Sequence, residues 1–161
     1  VFIEITKNRC LFKSSKAPYF NAIKDLSTSV FKILKETPIK ALGINHMYDI
    51  SLKDQVQYYE FGNRITPLNL WKDSLNKARL LSVEIFEQER KDGLTGQYRI
   101  RIVPSDQQIQ FGVNFSINNH FDLDKGKRGT NLEMVKTLEG QWDKSFIRSR
   151  EVVNDILEKT L

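Results

Sequence analysis

The sequence is poor in the residues that bind structural metals and form disulfides. Its 161 residues include one cysteine, Cys10, and two histidines. A structural zinc site normally takes four cysteine or histidine ligands, so that class of site is excluded. A single cysteine cannot form an intramolecular disulfide, and we therefore expect a reducing compartment, the cytoplasm. Cys10 lies among apolar residues of a predicted strand, which favours a buried thiol over a catalytic nucleophile.

Long apolar runs and the common nucleotide-binding motifs are also missing. No segment approaches the ~20 consecutive apolar residues that a transmembrane helix needs, so we expect no membrane contact. The sequence contains no GxxxxGK[ST], GxGxxG or GxSxG pattern, which removes the usual signatures of phosphate-binding loops, dinucleotide folds and α/β-hydrolases. We therefore predict no cofactor and favour a non-enzymatic protein.

Charge of one sign is not concentrated along the chain. There are 25 Lys and Arg against 20 Asp and Glu, a net charge of +5, and acids and bases alternate in most charged stretches. The densest basic group is Lys125, Lys127 and Arg128, in a glycine-containing turn. Nucleic-acid-binding proteins usually gather basic residues on one face or in one tract. Nucleic acid is therefore the least favoured partner, and we expect such binding to be weak.

What the sequence does contain is a series of clear apolar periodicities. Alternating apolar and polar residues predict strands, and apolar residues at three- and four-residue spacing predict helices. The strands are expected in 1–14 (as a hairpin), 39–52, 79–89, 97–103 and 108–124, and the helices in 18–37, in 66–76 and from Thr130 onward.

This order, β-β-α-β-(α)-β-β-β-α, predicts a two-layer α+β fold. We expect a curved antiparallel sheet of about six strands, packed against a helix of the N-terminal half and a long C-terminal helix. The length suits a single domain over residues 1–161. The sequence starts with Val1 rather than Met, so we also keep open that it is a fragment of a longer chain.

Residues 108–124 show the longest alternation. The face expected to point inward carries Ile109, Phe111, Val113, Phe115, Ile117, Phe121 and Leu123, with Asn119 as its one polar member. Globular strands rarely exceed ~10 residues, so we expect this strand to bend or bulge, at Gly112 or at Asn118–Asn119. In 79–89, Leu81, Val83 and Ile85 are expected to point inward.

The polar face of the same strand ends in a candidate metal site. His120, Asp122 and Asp124 lie on one side because side chains alternate between the faces of a strand. A metal would need at least one further ligand from a neighbouring strand. The alternative, which we favour, is a solvated polar face, since antiparallel sheets commonly expose one face to water.

A second candidate is a pocket between sheet and helix. His46 falls on the apolar side of 39–52 together with Tyr48, and Trp142 lies on the apolar stripe of the C-terminal helix. A core histidine is usually satisfied by a hydrogen-bonding neighbour, which we favour here. The open alternative is a small-molecule-binding cavity, in a ligand-binding protein or a cofactor-free enzyme.

The third candidate is a surface for protein interaction. The polar sheet face combines hydrogen-bonding groups with a few apolar side chains, and segment 55–71 is rich in aromatic residues without a clear periodicity. Arginine, methionine and aromatic side chains are enriched at protein interfaces. The residues predicted to take part are Met47, Tyr58, Tyr59, Phe61, Trp71, Phe86, Arg99, Arg101 and Asn114. For the four aromatic residues of segment 55–71 we favour the alternative that they cover the core. We therefore expect a module that binds a protein partner, or a second copy of itself, through this surface.

Overall fold

The computed structural model describes residues 1–123 and 130–161 and shows an α+β protein. Its six strands are β1 (Phe2–Thr6), β2 (Arg9–Lys13), β3 (Ala41–Ser51), β4 (Val83–Glu87), β5 (Gly96–Pro104) and β6 (Gly112–Asp122). Its helices are α1 (Phe20–Ile33), α2 (Gln55–Ile65) and α3 (Thr130–Thr160), with 3-10 turns at Ala17–Tyr19 and Leu68–Trp71. The chain forms two compact units, of which the first comprises 1–42 and 122–144 and the second 43–121 and 145–161.

The first unit contains the β1–β2 hairpin, α1 and the N-terminal part of α3. Strands β1 and β2 pair antiparallel, with Ile5 opposite Cys10. The C-terminal end of α1 is bound by α3, since the buried Asn131 side chain donates from Nδ2 to the carbonyl oxygen of Phe31 at 3.0 Å. This bond satisfies a carbonyl near the end of a helix, where intrahelical partners run out.

The second unit contains a four-stranded sheet in the order β3-β6-β5-β4. Strands β5 and β6 pair antiparallel from Gly96–Phe121 to Pro104–Val113 without a change of register. One face of this sheet packs against α2 and the C-terminal part of α3 around a core of Leu52, Phe61, Tyr98, Ile102, Val113, Phe115, Ile117 and Val153.

The α+β class, the antiparallel pairing and the long C-terminal helix are confirmed. The six strands, however, form a two-stranded and a four-stranded sheet. The alternation also gave the correct faces for β3, β5 and β6, where Ile44, Tyr98, Phe115 and Ile117 are buried.

Two details of the strand predictions are wrong. Leu81 and Ile85 were expected to point into the core, but they are 80% and 60% exposed, because β4 is the edge strand of its sheet. Strand β6 begins only at Gly112, since Gln108 and Phe111 adopt positive φ angles of 54° and 56° and form a turn. The continuous register also shows that Asn118–Asn119 is not a bulge.

Segment 55–71 is more regular than its sequence indicates. Residues Gln55–Ile65 form α2, and the Asp54 side chain caps it by accepting from the Gln57 backbone N–H at 2.9 Å. The helix predicted to begin after Thr66 is instead the short 3-10 turn Leu68–Trp71, and Thr66 is the C-cap of α2.

Gly96 allows β5 to begin directly beside β6. Its φ is +126°, and a Cβ atom there would overlap the backbone carbonyl of His120. We expect Gly96→Ala to lower the free energy of unfolding by at least about 2 kcal/mol. Gly140→Ala is the control, since Gly140 lies within α3 with open space around its Cα, and it should raise stability by about 0.5–1 kcal/mol. Urea denaturation measures both, and a Gly96→Ala protein as stable as wild type would contradict this account of the turn.

Candidate functional site

The candidate interaction surface is the sheet face turned away from α2. Phe86 of β4 lies opposite Arg99 of β5, and Arg99 lies opposite Asn118 of β6. The Asn118 side chain donates from Nδ2 to Asn45 Oδ1 on β3. These four residues form one row across all four strands, which we call the first row.

A second row lies next to the first. Glu84 lies opposite Arg101, and Arg101 lies opposite Ser116. Met47 completes this row on β3, because side-chain bonds place Asn45 beside Asn118 and Asp49 beside Asn114 on either side of it. We call the two rows together the open face.

The open face has apolar side chains at its margins and charge between them. Met47 is 70% exposed at the β3 margin, and Phe86 is 54% exposed at the β4 margin. Arg99 forms an ion pair with Glu84, with 3.3 Å between Nε and Oε1. Arg101 donates from Nε to Ser82 Oγ at 3.4 Å, and it forms no ion pair with a carboxylate of residues 1–123 or 130–161. Among these residues, Arg101 is thus the arginine of the open face whose charge is not neutralised.

Asn114, predicted as a contact residue, is buried at one end of this face. Its Nδ2 donates to Asp49 Oδ1 at 3.0 Å, and the Ser105 hydroxyl donates to the same oxygen at 2.6 Å. The amide therefore holds β3 and β6 together, and a partner would meet Asp49 rather than Asn114.

The aromatic segment lies on the opposite side of the sheet. Phe61 of α2 contacts Phe115, a core residue on the inward face of β6, with 6.0 Å between the ring centroids. Phe61 itself is fully buried, and Tyr58 and Tyr59 are half-buried. Trp71 is half exposed in the 3-10 turn that follows. The polar sheet face and segment 55–71, which were predicted to form one interaction surface, thus lie on opposite sides of the sheet. The candidate surface is the open face without that segment.

Two cavities of the described residues lie near this segment, and neither includes His46, Tyr48 or Trp142 of the predicted ligand pocket. One, lined by Tyr58, Tyr59 and Arg79 among others, has a volume of about 20 Å³, close to that of one water molecule. The other is an open groove of about 570 Å³ along 63–79 that does not include His46.

His46 and Tyr48, the predicted pocket residues, both contact α3. The His46 Nε2 atom lies 3.0 Å from Ser145 Oγ, and the Phe146 ring packs edge-on against the imidazole. The Tyr48 hydroxyl lies 2.6 Å from Ser149 Oγ and is the donor, because the Ser149 hydroxyl donates to the Phe146 carbonyl oxygen. Trp142 belongs to the other compact unit, where it is half-buried. These contacts attach β3 to the helix.

Burial also determines the protonation state of His46. Desolvation lowers the pKa of its imidazole from 6.5 to about 4. At neutral pH the ring is therefore uncharged, and one nitrogen can pair with the Ser145 hydroxyl.

The predicted metal site falls partly outside the described residues. His120 of β6 lies opposite Gln97 of β5. Asp122 is the last residue of β6, and Asp124 is not among the residues described. Within 1–123 and 130–161, no three His, Cys, Asp or Glu side chains come together as a metal site would require. Lys125, Lys127 and Arg128, the basic group of the sequence, are likewise outside the described residues.

Two arginines that the sequence analysis did not single out form hydrogen bonds, ion pairs and ring contacts on the inward face near β4. Arg90 has a side chain only 2% exposed, and it donates to Asn119 Oδ1 at 2.8 Å and to the His120 carbonyl oxygen at 3.2 Å. It also forms an ion pair with Asp92 and packs over the Phe121 ring. The side-chain hydrogen bond from Arg90, together with the positive charge of that residue, lowers the pKa of the Asp92 carboxyl. Asn119 therefore interrupts the apolar series of β6 because it accepts a hydrogen bond from the buried Arg90.

The second of these residues, Arg148, binds the end of β4. It donates to both carboxylate oxygens of Glu87 at 2.9 Å and stacks over the Tyr98 ring at 3.9 Å. Tyr98 is buried, and its hydroxyl has no hydrogen-bond partner among the residues that the structure describes. Desolvation raises its pKa to about 12. Arg148 does not lie three or four residues from Trp142, Phe146 or Val153 of the apolar stripe, so helical periodicity did not single it out.

Comparison with protein-family models, with curated proteins and with solved structures gave no match. None of the helices described is both long enough and apolar enough to cross a bilayer.

The depressed pKa of His46 predicts a dependence of stability on pH. In the unfolded chain the imidazole binds a proton below pH 6.5, whereas the folded protein resists protonation until about pH 4. The unfolded state then holds more protons, so stability falls as the pH drops from 6.5 to 4, by about 2 kcal/mol after allowance for partial exposure. In His46→Gln this loss of unfolding free energy between pH 6.5 and 4 should be absent. Urea denaturation at a series of pH values measures it in both proteins.

Ser145→Ala is the control for this experiment. It removes the hydrogen bond but keeps the imidazole buried, so the loss of stability between pH 6.5 and 4 should persist. An unchanged pH dependence in His46→Gln would show that His46 is not its source.

The Arg90–Asn119 bond predicts a non-additive pair of substitutions. Asn119→Leu takes an acceptor from a buried guanidinium, and Arg90→Met leaves a buried amide unpaired. Each should cost about 2–3 kcal/mol of unfolding free energy. The double variant replaces both groups by apolar ones and should cost at least about 1 kcal/mol less than the sum. Strictly additive costs in urea denaturation would contradict a direct coupling.

Proposed function

We propose that this protein is a non-enzymatic interaction module that binds a protein partner through the open face. The observation that carries the proposal is the exposure of Met47 and Phe86 at the two margins of one continuous polar surface, with Arg101 between them. Methionine, arginine and aromatic side chains are enriched in protein interfaces, and arginine is also enriched among the residues that dominate binding energy.

The charges of the face define the chemistry of the partner. Arg99 is neutralised by Glu84, whereas the bonded neighbour of Arg101 within the described part of the chain is a hydroxyl, that of Ser82. A partner that brings one carboxylate to Arg101 and apolar groups to Met47 and Phe86 would therefore match the face. Amide groups such as Asn45 can supply hydrogen bonds around these contacts.

A protein partner fits this face better than a single-stranded nucleic acid does. Sheets that bind such strands expose several aromatic rings among basic residues, on which bases stack. Across the two rows, Phe86 supplies the one ring, and Glu84 reduces the positive charge. We place the interaction in the cytoplasm, since Cys10 is the single cysteine of the sequence.

The proposal is tested by affinity capture from the native cell extract, with nuclease added. Met47→Glu and Arg101→Glu should each abolish capture of the partner, because both place a carboxylate where apolar contact or positive charge is expected. A partner retained after nuclease treatment identifies a protein rather than a nucleic-acid complex.

Matched controls are available on other exposed surfaces. Leu70→Glu and Arg64→Glu make the same changes at exposed positions of the 3-10 turn and of α2, and they should leave capture intact. Capture that survives both substitutions on the open face, or that fails equally in the controls, would overturn the proposal.

A further inference from the structure

Strand β4 is an edge strand with apolar side chains exposed on both of its faces. It ends the sheet order, with β5 as its neighbour. Ile85 is 60% exposed on the inward side and Phe86 is 54% exposed on the open face. Leu81, just before the strand, is 80% exposed. Edge strands usually carry lysine or proline, or a bulge, against pairing with other chains, and the sequence of β4, VEIFE, has no lysine or proline and keeps an unbroken register with β5.

The two carboxylates of β4 do not oppose such pairing. Glu84 forms an ion pair with Arg99, and Glu87 accepts two hydrogen bonds from Arg148. Each negative charge of the edge is therefore already neutralised by an arginine of the same chain. A second strand of the same sequence can approach without net repulsion.

We propose that β4 pairs antiparallel with β4 of a second copy of this chain, about a two-fold axis at Ile85. The two four-stranded sheets then join into one sheet of eight strands. Backbone hydrogen bonds along the edge provide the affinity, as in other cases of strand addition. The contact is self-complementary, as a two-fold interface requires.

The sequence of the strand selects this register. With Ile85 opposite Ile85, all five residues of β4 pair with β4 residues of the second copy. Glu84 then lies opposite Phe86, and Glu87 lies opposite Val83. A shift of two residues toward the N-terminus would place Glu84 opposite Glu84, which like-charge repulsion disfavours. The central register joins the two exposed isoleucines on one face and brings the phenylalanines near each other on the other.

The size of the contact sets the expected affinity. Five residues from each copy bury less than the ~1,200 Å² that marks the smaller stable interfaces. We therefore expect a dissociation constant on the order of 10 µM. Sedimentation velocity from about 1 to about 500 µM brackets this value, and the mass should rise from 18.8 kDa to twice that figure.

Ile85→Lys is the test variant. It places two lysines face to face at the axis, and the dissociation constant should rise at least about tenfold. Because Ile85 is largely exposed, the thermal unfolding curve should stay close to that of wild type, which shows that the variant is folded. Met47→Lys is the matched control at an exposed position on the other edge strand, and it should dimerise like wild type.

Cysteine cross-linking tests the register itself. In a Cys10→Ser background, Ile85→Cys places two thiols on directly opposed residues, and oxidised glutathione should join them into a disulfide-linked dimer. Val83→Cys is the control, because in this register its two copies lie four residues apart along the strand, about 13 Å. It should remain uncross-linked.

This inference concerns the edge of the sheet, and Ile85, its test residue, does not belong to the open face on which the partner is proposed to bind. Loss of dimerisation in Ile85→Lys with retained capture of the partner supports both. A monomer at all concentrations, a dimer unaffected by Ile85→Lys, growth into open-ended polymers, or cross-linking through Val83→Cys instead of Ile85→Cys would each overturn it.

Discussion

The four-stranded sheet depends on β6, the strand that has β3 on one side and β5 on the other. Such a strand offers no backbone edge to water, and a polar side chain on it that is partly or fully withdrawn from solvent needs a neighbour in the protein. Three asparagines meet this demand through three different residues, Asn114 through Asp49, Asn118 through Asn45 and Asn119 through Arg90. The polar bonds of β6 connect it to β3 and to the segment after β4. The hydrogen bonds across the open face and the buried side chain of Arg90 therefore both provide partners for polar side chains of β6.

The alternation of β3, β5 and β6 could be predicted because a strand packed on helices must bury one of its faces. That rule is strong for Phe115 or Ile44 and fails for Ile85, which lies at the edge of the sheet. The order of strands within a sheet is a long-range property that a local pattern does not contain. For the same reason the sequence did not reveal that β1 and β2 form a sheet of their own.

Segment 55–71 was misread for a different reason. A helix signal was present, since Asp54 caps Gln57 and the Gln57 side chain returns to the Lys53 backbone N–H at 2.8 Å. Aromatic residues along α2 obscured its periodicity, and one of them, Phe61, belongs to the core. Of the candidate interaction residues, the face-forming ones on β3, β4 and β5 followed from alternation. The separation of Trp71 from them depends on how α2 packs, which only the three-dimensional structure gives.

The bond between Arg90 and Asn119 also bears on how the chain finds its strand pairing. A slip of β6 by one residue would reverse its faces and is excluded by the hydrophobic effect. A slip by two residues keeps every face correct, so apolar burial alone distinguishes it poorly. It would, however, place Ile117 or Phe121 at the position of Asn119 and leave a buried guanidinium without its amide acceptor. Asn119, a single polar residue in an apolar series, thus favours one register of β6 over the other registers that bury the same apolar face.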